Sequence, residues 1–364
     1  MRLLHTADIV LELSLKRDAH SRLGHAMRSF RTGKIPAEAL IHHVFRYTGR
    51  KDPSVILGSS IGEDAALVSF GDKILVMTTD PVTGTTSDLG WLSVHINAND
   101  VACRGAKPRW FLCDLLLPER SNVNLVDSIM RQVDLAAKRL GVAVVGGHTE
   151  VTPGLNRPII VGYMVGIADR KKFVTSSHAR PGDDIIMTKS AGIEGTAVLA
   201  ADFSQRIRSK LGNRLLSRAR GLRHLISVVD DAMIAVQTGG VHAMHDPTEG
   251  GLIQGVWEIA EASGVGFKIH ETVVPIRPET EKICALLDVD QLRLMSSGCL
   301  LIAADRRKSD SIVANLRKHR IQANVIGIVL PRRNGRKLVG KRGFTIDIGP
   351  SERDEIYRVL EGSR

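Results

Sequence analysis

Apolar runs and amphipathic stretches alternate along the chain from about residue 33 onward. A short apolar run bounded by turn residues predicts a buried strand, and apolar positions three or four residues apart predict a helix. A proline in the first turn marks the start of a helix at Ile35-Pro36-Ala37-Glu38. In the first half this pattern predicts strands at 74–79, 110–117, 142–145 and 158–168, with helices through Trp91 to Cys103 and over 122–140.

The second half repeats this layout. The predicted strands lie at 185–188 and near 266–270, 298–304, 322–330 and 344–348. Helices are predicted up to about 239, over 249–263, and near 277–287, 308–319 and 350–361. Interleaved strands and long helices in both halves predict an α+β fold with two domains of comparable size.

A polar stretch that ends in the turn Pro181-Gly182-Asp183-Asp184 predicts the domain boundary near 170–180. We therefore expect an N-terminal extension over 1–32, domains over 33–172 and 173–350, and a C-terminal helix or tail over 351–364. The opening Leu4-His5-Thr6-Ala7-Asp8-Ile9 resembles metallophosphoesterases only superficially, because Val10 replaces the required metal-binding histidine. Residues 10–30 are predicted to form an extra surface helix.

Composition narrows the class of protein. The 364 residues carry a formal charge of +11, and only 4% are aromatic, which disfavours a protein that stacks bases of single-stranded nucleic acid. The four cysteines lack C-x-x-C spacing and lie in apolar or helical stretches, so we expect buried, reduced thiols. No apolar run approaches the ~18 residues of a membrane span, and we expect a cytoplasmic protein without membrane contact.

The positive charge is concentrated. Seven basic residues and no acid lie between Asp202 and Asp230, with leucines spaced between them as in an amphipathic helix. A solvated helix face, attraction of an anionic substrate, and nucleic-acid binding all remain possible for the 206–223 segment, with nucleic acid the least favoured. A second patch at Arg332-Arg333-Asn334-Gly335-Arg336-Lys337 is predicted to be a hairpin tip, because Asn-Gly favours that turn.

Five short acidic or glycine-rich clusters stand out against this basic background. Carboxylates beside tight glycine turns suit Mg²⁺, which takes a few hard oxygens and completes its shell with water or phosphate. Together the clusters predict a nucleotide and metal site assembled from distant parts of the chain. They are Gly62-Glu63-Asp64-Ala65-Ala66, Thr79-Asp80, Asn99-Asp100, Gly146-Gly147-His148-Thr149-Glu150 and Asp246-Pro247-Thr248-Glu249-Gly250-Gly251.

Each cluster has a predicted local role. Asp80 is predicted to end a buried strand, where a carboxylate is costly unless it is paired or coordinating. Gly146-Gly147 is predicted to form a loop after a strand, with backbone N–H groups that could hold a phosphate. Thr248 is predicted to cap the helix over 249–263. Lys189, near the turn Gly192-Ile193-Glu194-Gly195, could supply a cation. The common nucleotide-binding loops and an activated serine or cysteine are missing from the sequence.

With these clusters in this order, the chain resembles the aminoimidazole ribonucleotide (AIR) synthetase superfamily from about Gly33 to residue 350. The superfamily includes thiamine-monophosphate kinase, selenophosphate synthetase and the hydrogenase-maturation carbamoyl dehydratase. Its most specific segments here are Gly62–Ala66, Asn97–Ala102 followed by Gly105–Pro108, Gly146–Thr149 and Asp246–Gly251. The continuation Glu258-Ile259-Ala260-Glu261-Ala262-Ser263-Gly264-Val265-Gly266 is most similar to the hydrogenase-maturation branch.

The resemblance implies a two-domain PurM-like fold in which N-terminal-domain strands form a barrel across a homodimer. It also implies an ATP and Mg²⁺ site in a cleft lined by both domains. The implied metal ligands are Glu63, Asp64, Asp80, Asp100 and Asp246. The implied cofactor-binding residues are Asp64, Thr79, Asp80, Asn99, Asp100, Gly146, Gly147, His148, Thr149, Asp246 and Thr248. The implied catalytic residues are His148, Asp100 and Lys189.

Two differences from the family pattern affect which reaction we expect. His148 stands where kinase members have aspartate, which counts against thiamine-monophosphate kinase activity. The carbamoyl dehydratase uses a cysteine at its C-terminus, whereas this sequence ends Leu360-Glu361-Gly362-Ser363-Arg364. We therefore expect a ligase- or dehydratase-type enzyme that uses ATP to phosphorylate an amide- or carbonyl-type oxygen of a small-molecule or protein-borne substrate. The alternatives are a non-catalytic nucleotide-binding maturation or scaffold protein and a phosphotransferase similar to thiamine-monophosphate kinase.

Overall fold

The computed structural model describes residues 32–83, 88–351 and 353–361. The chain divides into two units, Met1–Ile35 and Pro36–Arg364, and the account below concerns the second. The predicted helix over residues 10–30 lies outside the described residues. No described helix combines the length and the apolar character needed to cross a bilayer.

The first half of this unit builds a mixed sheet. Among the described residues its strands are ordered β1-β2-β3-β6-β4-β5, with β5 at an edge and parallel to β4. The elements, in chain order, are α1 Ala37–His43, β1 Val55–Leu57, β2 Ala66–Phe70, β3 Lys73–Val82, α2 Leu89–Cys103, β4 Lys107–Leu117, α3 Val123–Leu140, β5 Ala143–Val151 and β6 Ile159–Asp169.

The second half builds another mixed sheet, which in the described part of the chain is ordered β13-β12-β9-β11-β7-β10-β8. Its strands are β7 Asp184–Thr188, β8 Val241–His245, β9 Gly266–His270, β10 Leu301–Ala304, β11 Ala323–Leu330, β12 Arg336–Val339 and β13 Thr345–Asp347. Its helices are α4 Ile193–Asp202, α5 Ser204–Leu211, α6 Asn213–Gly221, α7 Val229–Thr238, α8 Gly251–Ser263, α9 Pro278–Leu287, α10 Arg306–Lys318 and α11 Glu355–Glu361.

Helices α2 and α3 show how the sequence determines burial. Helix α3 has one apolar face, and the Asn122 side chain accepts a hydrogen bond from Leu125 N at 3.1 Å to cap it. It ends at Gly141, whose φ of 67° is left-handed. Helix α2 is buried on almost all sides, although it carries asparagines and an aspartate. Polar groups in such a helix need partners inside the protein.

Several predicted elements differ from the observed ones. Strand β3 continues past Asp80 to Val82, so Asp80 lies within the strand. Strand β5 continues through the predicted phosphate loop to Val151. Strands β8 and β12 were not predicted, because Val-His-Ala-Met-His and Arg-Lys-Leu-Val lack a continuous apolar run. The Asn334-Gly335 turn is not a hairpin tip, since β9 lies between β11 and β12.

The tight packing of α2 on α3 allows a direct test. A Cβ atom at Gly90 would lie 2.3 Å from the carbonyl oxygen of Ile129, which is backbone and cannot rotate away. We expect Gly90→Ala to lower the free energy of unfolding by about 1–3 kcal/mol, the usual cost of overpacking.

Gly221→Ala is the matched control, because Gly221 is also helical and a Cβ there would meet nothing within 4 Å. It should leave stability within about 1 kcal/mol of the parent or raise it. Urea unfolding followed by circular dichroism measures both variants. Equal stability of the two variants would contradict the close packing.

Candidate metal and nucleotide site

Three carboxylates from distant parts of the chain meet at one point. Asp64 lies in the loop before β2, Asp100 lies on α2, and Asp246 directly follows β8. One oxygen from each lies within 4.8 Å of the others. Asp100 and Asp246 are buried, at 2% and 1% exposure. The acids that the sequence singled out in three separate clusters are therefore neighbours in the fold.

Alternate residues of strand β3, beginning with Thr78, lie on the strand face toward the three carboxylates. Thr78 Oγ1 lies 2.8 Å from both Asp100 Oδ2 and the backbone oxygen of Asp64. Asp80, two residues on, is on the same face of the strand, and its charge helps to raise the pKa of Asp100. The Asn97 side chain fixes this part of β3, since its Oδ1 accepts from Asp80 N at 2.9 Å.

A buried arginine holds the acidic loop in place. Arg104 directly follows α2 and is fully buried. It donates to Glu63 Oε2 at 2.7 Å and to Asp64 Oδ2 at 2.8 Å, and it reaches Ser176 Oγ at 3.0 Å. Ser176 N also donates to Glu63, at 3.1 Å. Glu63, a predicted metal ligand, is thus held by Arg104 and Ser176, and it is not one of the three clustered carboxylates.

A buried histidine approaches the site from the other sheet. His245, the last residue of β8, lies between Asp64 Oδ2 at 2.7 Å from Nδ1 and Glu258 Oε2 at 2.8 Å from Nε2. Burial opposes its charged form, but the two carboxylates outweigh burial and raise the pKa of His245 to about 10. The imidazolium therefore donates from both ring nitrogens and orients Asp64.

The electrostatics of the group favour a cation. Burial, followed by the charges of neighbouring acids, raises the pKa of Asp100 well above its usual value. Burial and the charge of Asp64 raise the pKa of Asp246 to about 7. Asp246 Oδ2 is buried and has no hydrogen-bond partner among the described residues. A divalent cation such as Mg²⁺ would relieve this repulsion and use that oxygen, so the residues present fit the ion.

Other predicted site residues lie outside the three-carboxylate group. Asn99 holds the segment before α7, since Nδ2 donates to Ile226 O at 2.9 Å and Oδ1 accepts from Val228 N at 2.8 Å. The Lys189 ammonium lies 3.0 Å from Asp231 Oδ1 and donates to Ser227 O at 2.6 Å. Thr79 is exposed, because alternation along β3 turns it away from Asp100.

The predicted phosphate loop is an exposed edge strand. Gly146, Gly147, His148 and Thr149 all belong to β5. Close packing of neighbouring strands requires glycine at position 147, because a Cβ there would lie 2.1 Å from the Cys113 backbone oxygen. Strand pairing aligns Asp80, Gly162, Cys113 and Gly147 in one row across β3, β6, β4 and β5. Three strand spacings of ~4.8 Å separate Gly147 from Asp80 by about 14 Å within one chain.

The loop after Asp246 is held by the C-terminal helix. Thr248 does not cap α8, which begins at Gly251 after Gly250 in the left-handed conformation, φ 79°. Buried Asp354 accepts a hydrogen bond from Gly250 N at 2.7 Å, and Tyr357 OH donates to Glu249 Oε1 at 2.8 Å. Residues just before and within α11 therefore fix the position of the loop that carries Asp246.

The sequence reasoning missed Thr78, His245 and Glu258, and it gave Arg104 only as a neighbour of the substrate pocket on the helix face of Asp100. Thr78 could have been found by taking every second residue of the strand from Asp80. Arg104 stands four residues after Asp100, a helical spacing that the sequence displays. His245 and Glu258 gave no comparable signal, because their shared contact depends on how α8 packs on β8.

Two mixed sheets that place buried carboxylates at their junction define the class: a two-domain α+β protein with a candidate cation and phosphate site. Residues 62–168 match the model of the AIR synthase related protein N-terminal domain, and residues 180–339 match that of its C-terminal domain. The chain belongs to the AIR synthase-related family.

Hydrogenase-maturation proteins are among its relatives. A protein of Methanocaldococcus jannaschii named for hydrogenase expression and formation is 31% identical over 82% of this chain and 88% of its own length. Carbamoyl dehydratase HypE of Cupriavidus necator is 31% identical over 77% of this chain and 79% of its own. A crystal structure of the maturation protein HypE in complex with ATP has a TM-score of 0.68 at 24% identity, covering 89% of this chain and 97% of that one.

The Arg104 contacts predict a large energetic effect. Arg104→Gln would leave Glu63 and Asp64 without their shared guanidinium, and the Glu63 side chain is only 2% exposed. We expect the free energy of unfolding to fall by about 3–5 kcal/mol, as for other broken buried ion pairs. Chemical denaturation gives the value.

Arg131→Gln is the matched control. Arg131 pairs with Asp127 on the surface of α3, with side chains 76% and 61% exposed. This pair should contribute less than about 1 kcal/mol. If both variants lost the same stability, Arg104 would not anchor the acidic loop.

Proposed function

We propose that this protein binds ATP with Mg²⁺ at Asp64, Asp100 and Asp246, and uses it to phosphorylate an amide- or carbonyl-type oxygen. Phosphorylation converts such an oxygen into a good leaving group. The observation that carries the proposal is the convergence of three carboxylates, of which Asp246 has a buried oxygen without a hydrogen-bond partner among the described residues.

The protein's own residues position the reacting groups. Arg104 and His245 hold Asp64, while Thr78 holds Asp100, so the acids keep their geometry before nucleotide arrives. Mg²⁺, when bound, would neutralise charge on the phosphate oxygens, which is the main requirement of phosphoryl transfer. Asp80 lies on the same strand face as Thr78, and its charge acts on Asp100. Preorganised charge of this kind avoids reorganisation during the reaction.

The relatives support both halves of the proposal. One related maturation protein has been crystallised with ATP, and other relatives are named carbamoyl dehydratases, enzymes that act on an amide-type group. The four cysteines are all buried and free, which agrees with the proposed cytoplasmic location. A scaffold that binds nucleotide without using it remains the alternative, and turnover distinguishes the two.

Substitution within the three-carboxylate group tests nucleotide binding. Mg·ATP should raise the melting temperature of the parent protein, because a ligand that binds only the folded state stabilises it. Asp246→Asn should weaken Mg²⁺-dependent ATP binding by at least about tenfold, since it removes a charged ligand from the ion. Isothermal titration calorimetry measures the affinity.

The control for this test is Asp310→Asn, an equal charge change at an exposed position of α10. It should bind Mg·ATP like the parent. Absence of Mg·ATP binding by the parent, or equal weakening in both variants, would refute the site. Binding without phosphate release, with every carbamoyl- or amide-bearing substrate tried, would favour the scaffold.

We also propose a homodimer that forms through the first sheet. All nine residues of β5 are exposed, including Val144, Val145 and Val151 at 42%, 54% and 55%. An exposed apolar edge strand is a template for pairing with another chain. A second copy on this sheet would place His148 at the interface, which is where we propose that it contributes to the nucleotide cleft.

A charge on β5 tests this dimer. Val145→Lys should produce a monomer, because the interface would have to bury an unpaired ammonium. Size-exclusion chromatography with light scattering measures the mass. Val123→Lys is the control, since Val123 is 79% exposed on α3, outside the first sheet. A monomeric parent, or a dimer that survives Val145→Lys, would contradict the proposal.

A further inference from the structure

A cavity of about 590 Å³ lies within the basic segment of the second half. Helices α5 and α6 and the 3₁₀ turn Leu222–Leu225 form its walls. Its lining residues are Arg208, Asn213, Leu216, Ser217, Arg220, Gly221, Arg223 and His224. None of these belongs to the carboxylate site, so the cavity requires an explanation of its own.

The lining is cationic. Three arginines face the cavity, and no carboxylate is among its lining residues. The Arg208 side chain makes no hydrogen bond or ion pair with any residue in the described ranges, while its backbone oxygen accepts from Gly212 N at 3.0 Å. Arg220 Nε donates to the Ala200 backbone oxygen at 3.3 Å, and Arg223 Nη1 donates to Asp88 at 2.8 Å. The remaining guanidinium donors stay available to a ligand, because each guanidinium carries five N–H groups.

Buried side chains and a hydrogen bond anchor the elements that form the cavity walls. Leu216 and Ala219 of α6 are buried, as is Ile207 of α5, and they pack in one apolar cluster with α4, α9 and α11. The Arg223 backbone oxygen accepts a hydrogen bond from Trp91 Nε1 at 3.1 Å, which ties the 3₁₀ turn to α2. A simple solvated helix face explains the amphipathic pattern, but it does not explain a concave surface with three arginines around it.

We propose that this cavity binds a small phosphorylated ligand. Its volume falls within the roughly 300–1,000 Å³ of small-molecule sites. Arginine forks match phosphate oxygens in pairs, which favours phosphate over a simple halide. A nucleic acid would call for stacking aromatics, whereas the lining of this open cavity includes no tryptophan, tyrosine or phenylalanine. This ligand would be additional to ATP at the carboxylates.

Pyrophosphate is a suitable probe, used with EDTA so that no divalent ion recruits it to Asp64, Asp100 and Asp246. We expect saturable, one-site binding to the full-length protein by isothermal titration calorimetry. Arg208→Gln should weaken it by at least about tenfold, because a charge-assisted contact is lost. The Arg208 side chain has no partner in the described ranges, so this variant should keep the parent's melting temperature.

Arg214→Gln is the matched control, because Arg214 is exposed on α6 and does not line the cavity. It should bind pyrophosphate within about twofold of the parent. Arg223→Gln, checked for folding by circular dichroism, supplies a second cavity variant and should also bind weakly.

Other results would overturn the proposal. Equal weakening by Arg208→Gln and Arg214→Gln would mean diffuse attraction to a basic surface, and tight, equally affected binding of a single-stranded oligonucleotide would point to nucleic acid. Weakening only by Asp246→Asn would place the probe at the carboxylates, and absence of pyrophosphate binding would refute the cavity as a phosphate site. The experiment contains neither Mg²⁺ nor ATP, so failure here leaves the proposed function standing.

Discussion

The buried charge network around Asp64 is the interaction on which the junction between the sheets depends. Asp64 receives Arg104 from the end of α2 and His245 from the end of β8, so one carboxylate connects the two halves. Charges at this depth are costly unless each finds partners. The network satisfies Asp64 and leaves Asp100 and Asp246 in mutual repulsion. The same contacts that stabilise the junction therefore prepare a place for a cation.

Both halves of the chain contribute residues to the carboxylate site. The first sheet and α2 supply Thr78, Asp100 and Arg104, while the second sheet supplies His245 and Asp246. A continuous apolar core includes residues of both, among them Leu67 and Met244. The site is therefore a product of the packing between the sheets. Asn99 and Lys189, which stay predicted nucleotide-site residues, secure the segment that runs from the basic cavity to α7.

Strongly periodic elements were predictable from the sequence. Helix α3 matched its predicted range because Asn122, Gly141 and an amphipathic face mark it locally. Strand β8 was not predicted, since two histidines interrupt its apolar pattern, yet it delivers His245 and Asp246 to the site. The Gly146-Gly147 pair was interpreted as a phosphate loop. In the structure, the close approach of the Cys113 backbone on the neighbouring strand explains why position 147 is a glycine. In the sequence, a glycine pair that binds phosphate cannot be distinguished from one that close strand packing requires.

By itself, the sequence determined the alternating α+β pattern, the acidic clusters on a basic chain and their shared order with the AIR synthetase superfamily. These are properties of local spacing and composition. The tertiary structure decided that Asp64, Asp100 and Asp246 converge, that Arg104 and His245 hold Asp64, and that three arginines of one amphipathic segment surround a cavity. The physical reason is distance along the chain: contacts between residues far apart in sequence depend on strand order and helix packing, which no local pattern encodes.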